Sequence, residues 1–142
     1  MEPAERLDRF WAALIDRGIF LPIMIVPAIL FPSYKDRQSA AILLGVLCAV
    51  LVLAFVAVQV WLLTTLGQTI GKKAMGLRIV LIADDSNGGF VVNVLLRGVL
   101  TLVLSAIPVA GPIFALADVL FIFKEDRRCL HDRIAGTRVV KA

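Results

Sequence analysis

The sequence predicts an all-α membrane protein: two transmembrane helices, a third hydrophobic region broken by proline and glycine, and a small cytoplasmic β element. Three observations carry this expectation. Hydrophobic residues make up 60% of the 142-residue chain, against about half in a soluble domain of this size. They fall in long runs without a helical or strand period, the pattern of chain that meets lipid. Most of the Lys and Arg residues lie between or beyond those runs, as they do beside membrane spans.

The first predicted helix covers 10–31. Its clean apolar part, Gly18 to Phe31, is shorter than the roughly 20 residues a span needs. Adding Phe10 to Ile15 restores the length and places Asp16 and Arg17 inside the helix. These two charges also interrupt what would otherwise be the apolar stretch of a signal peptide, so the segment is expected to be a retained helix. Pro22 and Pro27 are expected to kink it. A short polar connection, Pro32 to Gln38, follows.

The second helix covers 39–66 and carries no charge. It can cross a hydrocarbon core of about 30 Å with tilt. Ala41, Gly45 and Ala49 form a stripe of small residues that would admit a neighbouring helix, or they are ordinary apolar filling.

A loop over 67–93 comes next. Leu77 to Ala83 is β-branched and predicts a strand. Asp84 to Gly89 is turn chemistry, and Phe90 to Val92 is a short return-strand candidate, which together predict a hairpin at the membrane surface. The third hydrophobic region, 94–123, carries Arg97 near its start and Asp118 near its end. Pro108, Gly111 and Pro112 break its middle, and each half is too short to cross alone. The tail, 124–142, is basic and ends in a strand candidate, Thr137 to Lys141, which could pair with Leu77 to Ala83.

The positive charges set the expected topology. Lys72, Lys73 and Arg78 lie in the loop. Lys124, Arg127, Arg128, Arg133, Arg138 and Lys141 lie in the tail, and Arg6 and Arg9 precede the first helix. All should face the cytoplasm, which places both termini inside and the linker with Lys35, Asp36 and Arg37 outside. The third region must then return to the side it left, as a bent or re-entrant hairpin. A single straight span would put the basic tail outside and is the less favourable alternative. The expected location is a prokaryotic cytoplasmic (inner) membrane.

Several function classes are disfavoured. The net charge of +4 suits anionic lipid, and no basic face with base-reading elements points to nucleic acid. Cys48 lies in an apolar run and Cys129 in the basic tail, so a disulfide is not expected, and neither has metal-ligand spacing. Gly67 to Lys73 lacks the spacing and hydroxyl of a phosphate-binding loop. Asp84 to Gly89 lacks the alternating ligands of a calcium loop. His131 beside Cys129 makes a poor catalytic pair and, alone, a poor metal site. No enzymatic activity, cofactor or metal is expected.

A charge inside a membrane helix is expensive and usually has a partner and often a function. Arg9 and Asp16 lie close to one helix face but about two turns apart, too far to pair directly. Asp16 is therefore expected to find a partner elsewhere, with Arg97, Lys72 and Arg133 as candidates. It reads either as an exchanging carboxylate or as half of a structural ion pair. Asp118 reads as an interfacial acid that caps nearby backbone, or as a partner of Arg97.

Four blocks, in order, carry a family resemblance. Arg9-Phe-Trp-Ala-Ala-Leu-Ile-Asp16 resembles the opening of the RDD family of prokaryotic integral membrane proteins. Gly67 to Val80 resembles its central loop and strand, Leu96-Arg97 the start of its third region, and Leu130-His-Asp-Arg-Ile-Ala-Gly-Thr137 its closing motif. The resemblance implies that Arg9, Asp16 and Asp132 are the family's named Arg and two Asp residues. That mapping demotes Asp118. It also implies ion or proton exchange, proposed for some members.

The expected site is a polar cluster of Arg9, Asp16, Arg97, Asp132 and Arg133, with Asp118 and Lys72 as secondary candidates. Two functions are expected to compete. One is cation or proton transport or exchange by an oligomer using Asp16. The other is a non-catalytic scaffold or accessory subunit within a larger membrane complex. The expected partners are the lipid bilayer, further copies of the chain, or such a complex.

Overall fold

The computed structural model describes residues 2–34, 37–121 and 128–142. The expectations for Lys35, Asp36, Lys124 and Arg127, and for the end of the third region at Phe123, fall outside these residues.

Helix α1 spans Arg6–Tyr34 and α2 spans Gln38–Leu66; both are long and apolar enough to cross a membrane. Their large side chains face outward: Leu43 is 70% exposed and Leu53 68%. Such surfaces need lipid or another protein to cover them. Helix α1 starts at Arg6 instead of Phe10, because Arg9 N already donates to Glu5 O at 3.2 Å. It continues past Phe31 and runs unbroken through Pro22 and Pro27. Cys48 Sγ donates to Ile23 O at 3.5 Å and Phe20 meets Phe55 at 5.7 Å between ring centroids, which packs α1 on α2.

After α2 the chain makes a short helix, α3 (Ile70–Ala74), and then strand β1 (Leu77–Leu81). The partner of β1 is β2 (Thr137–Lys141), antiparallel, in register from Leu77 opposite Lys141 to Leu81 opposite Thr137. The expected return strand Phe90 to Val92 does not form. Those residues are helical. The turn at Asp84 is real, with its Oδ1 accepting from Ser86 N at 3.0 Å. The sheet finds its second strand at the far end of the chain, where Val139 lies opposite Ile79 and completes the buried face with Leu77. Ala4 N donates to Val139 O at 3.0 Å and Lys141 N to Glu2 O at 3.1 Å, so the N-terminal segment pairs along β2. Ala4, Ala12, Leu77, Ile79 and Val139 form a small buried core between α1 and the sheet.

The third region is two helices. Helix α4 (Val91–Ser105) is π-helical over Val91–Val99 and α-helical beyond. The wide turn shows in Leu100 N, which donates to Leu95 O. π-Helical turns are uncommon and often stand at functional positions. A turn follows, with Val109 at φ 67, and α5 (Ala110–Leu120) leaves it. At Gly111 a Cβ would stand 2.1 Å from Ser105 O, so this glycine lets α4 and α5 meet closely. Helix α6 (Leu130–Ile134) leads into β2.

Candidate functional site

The polar side chains gather at one end of the molecule, where α1, α3, α4 and α6 meet the sheet. They form two centres.

The first centre is Asp132 on α6, which is fully buried. Its Oδ2 accepts from Arg9 Nη2 of α1 at 2.5 Å and from Cys129 N at 3.2 Å. The second bond caps the start of α6, which is why an acid stands at its third position. Asp132 Oδ1 lies 2.7 Å from Arg97 Nη2 of α4. Arg9 and Arg97 are themselves 9% and 8% exposed. One carboxylate thus joins three segments distant in sequence. Burial opposes the charge on Asp132, but Arg97, His131 and Arg9 overcome it and hold the carboxyl far below the usual range.

His131 extends this centre. Its Nε2 lies 3.2 Å from Arg97 Nη2 and its Nδ1 lies 2.7 Å from Asp118 Oδ2 of α5. Asp118 Oδ1 also accepts from His131 N at 2.8 Å. Asp118 therefore caps the backbone of His131 and, among the described residues, makes no direct ion pair with Arg97, to which it is linked through the His131 ring. Cys129 Sγ accepts from Arg9 Nη2 at 3.4 Å, and burial pushes the thiol up to about 11. Asp118, Cys129 and His131 offer three ligand atoms within 4.8 Å of one another.

The second centre is Asp16, half-buried on α1. Among the described residues its hydrogen bonds come from three uncharged donors instead of the expected basic partners. Gln59 Nε2 of α2 donates at 3.0 Å, Thr69 Oγ1 at 2.6 Å and Gly71 N at 2.8 Å. Gln59 Oε1 in turn accepts from Ile70 N at 3.2 Å. Backbone N–H groups at the start of α3 supply the complement that a cation was expected to supply. Gly71 makes this possible: a Cβ there would lie 2.0 Å from Ala12 O.

Among the described residues the expected cluster shows two hydrogen-bonded centres, Arg9, Arg97 and Asp132 in one and Asp16 in the other, with Lys72 coupled electrostatically to both. The Arg133 guanidinium lies 5.3 Å from the Phe121 ring centroid, a cation–π contact. Lys72 is half-buried between the centres. Burial, then Arg97, lowers its ammonium to about 8, with Asp16 and Asp132 opposing.

Gln59, Thr69, Gly71, Cys129 and His131 were not read from the sequence as members of the site. Gln59 carries a signal that could have found it, since it is a lone amide deep in an uncharged apolar run. Thr69 and Gly71 had only the sequence of a turn.

Fold and site define a helical membrane protein whose polar groups close one end of two long apolar helices. The model of the RDD family matches residues 3–136, nearly the whole chain. The chain belongs to the RDD family. No curated protein and no solved structure gave a match.

Proposed function

We propose that the chain is a non-catalytic membrane module that assembles with copies of itself or with a larger membrane complex, and that its embedded charges lock its own helices. The observation that carries this reading is Asp132, which has no exposure and is closed between Arg9 and Arg97. A carboxylate that exchanges ions needs a path to water, and a dry, doubly paired one serves as a fastener. The outward apolar faces of α1 and α2 leave surface for lipid and for partner helices.

In this proposal the basic end faces the cytoplasm of a prokaryotic cell, with both termini inside. The pairing of Ala4 with Val139 and of Arg9 with Asp132 supports a common side for the two ends of the chain. The third region is then a re-entrant hairpin. At about 1.5 Å per residue, α4 and α5 are each shorter than a core of about 30 Å. Arg97 and Asp118, from opposite ends of that region, meet the same His131. Backbone breaks at depth are tolerated where protein shields them.

One observation favours a second reading, cation or proton exchange. Asp16 is a half-buried carboxylate held by the uncharged donors Gln59 Nε2, Thr69 Oγ1 and Gly71 N, an embedded ionisable group of the kind that marks ion and proton pathways. Purified protein in proteoliposomes separates the two. The lock reading expects no flux of Na⁺, K⁺ or H⁺ above empty vesicles. Flux that disappears in Asp16→Asn would replace it with exchange. Co-purification in mild detergent with a partner of fixed stoichiometry would support the module.

A further inference from the structure

We propose that Asp118, Cys129 and His131 bind a divalent transition metal of the zinc class at the end of the third hydrophobic region. The carboxylate, thiol and imidazole come from α5, from the residue preceding α6 and from α6, and their ligand atoms lie within 4.8 Å of one another. Sulfur, nitrogen and oxygen donors in this combination suit zinc, and three protein ligands leave a fourth position to water. The sequence separates Asp118 from the other two, which is why its pattern of cysteine and histidine alone does not suggest a site.

The geometry needs a small adjustment. Two donors on one zinc ion stand about 3.3 Å apart at bond lengths near 2.0–2.1 Å. Asp118 Oδ2 and His131 Nδ1 are 2.7 Å apart, held by a hydrogen bond. The ion replaces that bond by moving Asp118, whose side chain is 14% exposed.

A second observation points to the same ion. Arg97 can only donate, so a hydrogen bond from its Nη2, 3.2 Å away, requires a neutral His131 ring with Nε2 as acceptor and the proton on Nδ1. Metal on Nδ1 reverses this. Nε2 then carries the proton and faces Asp132 Oδ1 at 3.3 Å, and Arg97 gives up its bond to the ring while keeping its ion pair with that oxygen at 2.7 Å. The ion pair lacks hydrogen-bond geometry, so the buried Oδ1 still has room to accept from Nε2. A metal-bound histidine that donates its other N–H to a carboxylate is the usual support for such a ligand. Arg9 Nη2 at 3.4 Å from Cys129 Sγ provides a donor to the metal-bound thiolate.

The proton balance is simple. Cys129 releases its Sγ proton to solvent, His131 exchanges its Nδ1 proton for one on Nε2, and the ion exchanges waters for three protein ligands. No electrons move.

The test is a Co²⁺ titration of the whole chain in detergent micelles, followed by Zn²⁺ displacement. The expected result is a thiolate-to-cobalt charge-transfer band that saturates at one ion per chain and is bleached by Zn²⁺. Cys129→Ser should abolish the band and Cys48→Ser should keep it. Asp118→Asn and His131→Gln should each weaken binding at least about tenfold. A wild-type protein without the band in excess Co²⁺ overturns the proposal, as does a band that survives Cys129→Ser. The wild-type measurement does not depend on any variant folding.

Discussion

Arg9 Nη2 lies 2.5 Å from Asp132 Oδ2, although 123 residues separate the two. The contact fastens the first turns of α1 to α6, and Arg97 on the other carboxylate oxygen draws in α4. Each charge in this triad is nearly or wholly buried. Such a group contributes little net stability over an apolar core of the same shape, but removing one member is costly.

Asp132→Asn is therefore expected to be severe. It replaces the charged carboxylate between two buried guanidiniums with a neutral amide that keeps one acceptor oxygen for Arg9, Arg97 and Cys129 N to share. The expected loss is about 3–5 kcal/mol, read from denaturant unfolding in micelles. A loss below about 1 kcal/mol would show that the triad is not closed.

Asp16 should behave differently, since its donors are uncharged. Asp16→Asn keeps one acceptor oxygen and turns an amide toward Thr69 Oγ1, which already accepts from Lys72 N. A cost of about 1–2 kcal/mol is expected. Asp16→Leu strands the donors of Gln59, Thr69 and Gly71 and should cost more. Equal losses in the two variants would argue against the hydrogen-bonded arrangement.

Gly71→Ala tests the approach of α3 to α1. The added Cβ meets backbone oxygen of Ala12, which has no side-chain rotation to yield. The expected effect is a loss of about 1–3 kcal/mol, together with faster hydrogen exchange at Gly71 N. Gly18→Ala serves as a comparison, since its Cβ meets no atom within 4 Å and its backbone is helical.

How much of this was legible depends on the residue. The long helices were, because lipid demands uncharged length and α2 has it from Ser39 to Leu66. The break at Pro108 to Pro112 was also visible, because proline and glycine act locally. Strand β2 could be seen as a candidate, but Phe90 to Val92 has the same β-branched look and is helical. Local propensity could not choose between them, since the choice rests on which strand completes the core with Leu77 and Ile79. The partners of Asp16 were hidden for a related reason. A carboxylate can be satisfied by backbone N–H groups, and these leave no letter in the sequence. Asp132 was reached by family resemblance alone, whereas its contacts with Arg9 and Arg97 required the fold.

Lys72 offers a pH-dependent test. Its ammonium falls to about 8 from a usual value of 10.5. Above about 8 the folded chain has given up a proton that the unfolded chain still binds until about 10.5. Stability therefore rises with pH across that window, and the full penalty of the buried charge is present below it. Lys72→Met should raise the unfolding temperature at pH 7 and lose most of that advantage by pH 10. Competitive amine labelling should place the Lys72 midpoint near pH 8. A midpoint near 10.5 would mean that the ammonium is fully hydrated.

The most direct test of the lock is a double-mutant cycle between Arg9 and Asp132, using Arg9→Met, Asp132→Asn and the pair, with unfolding measured in one detergent. Two buried groups in contact should couple by about 1–3 kcal/mol, so the double variant should lose less than the sum of the singles. Effects that add to within about 0.5 kcal/mol would contradict it, because the two residues would then act independently.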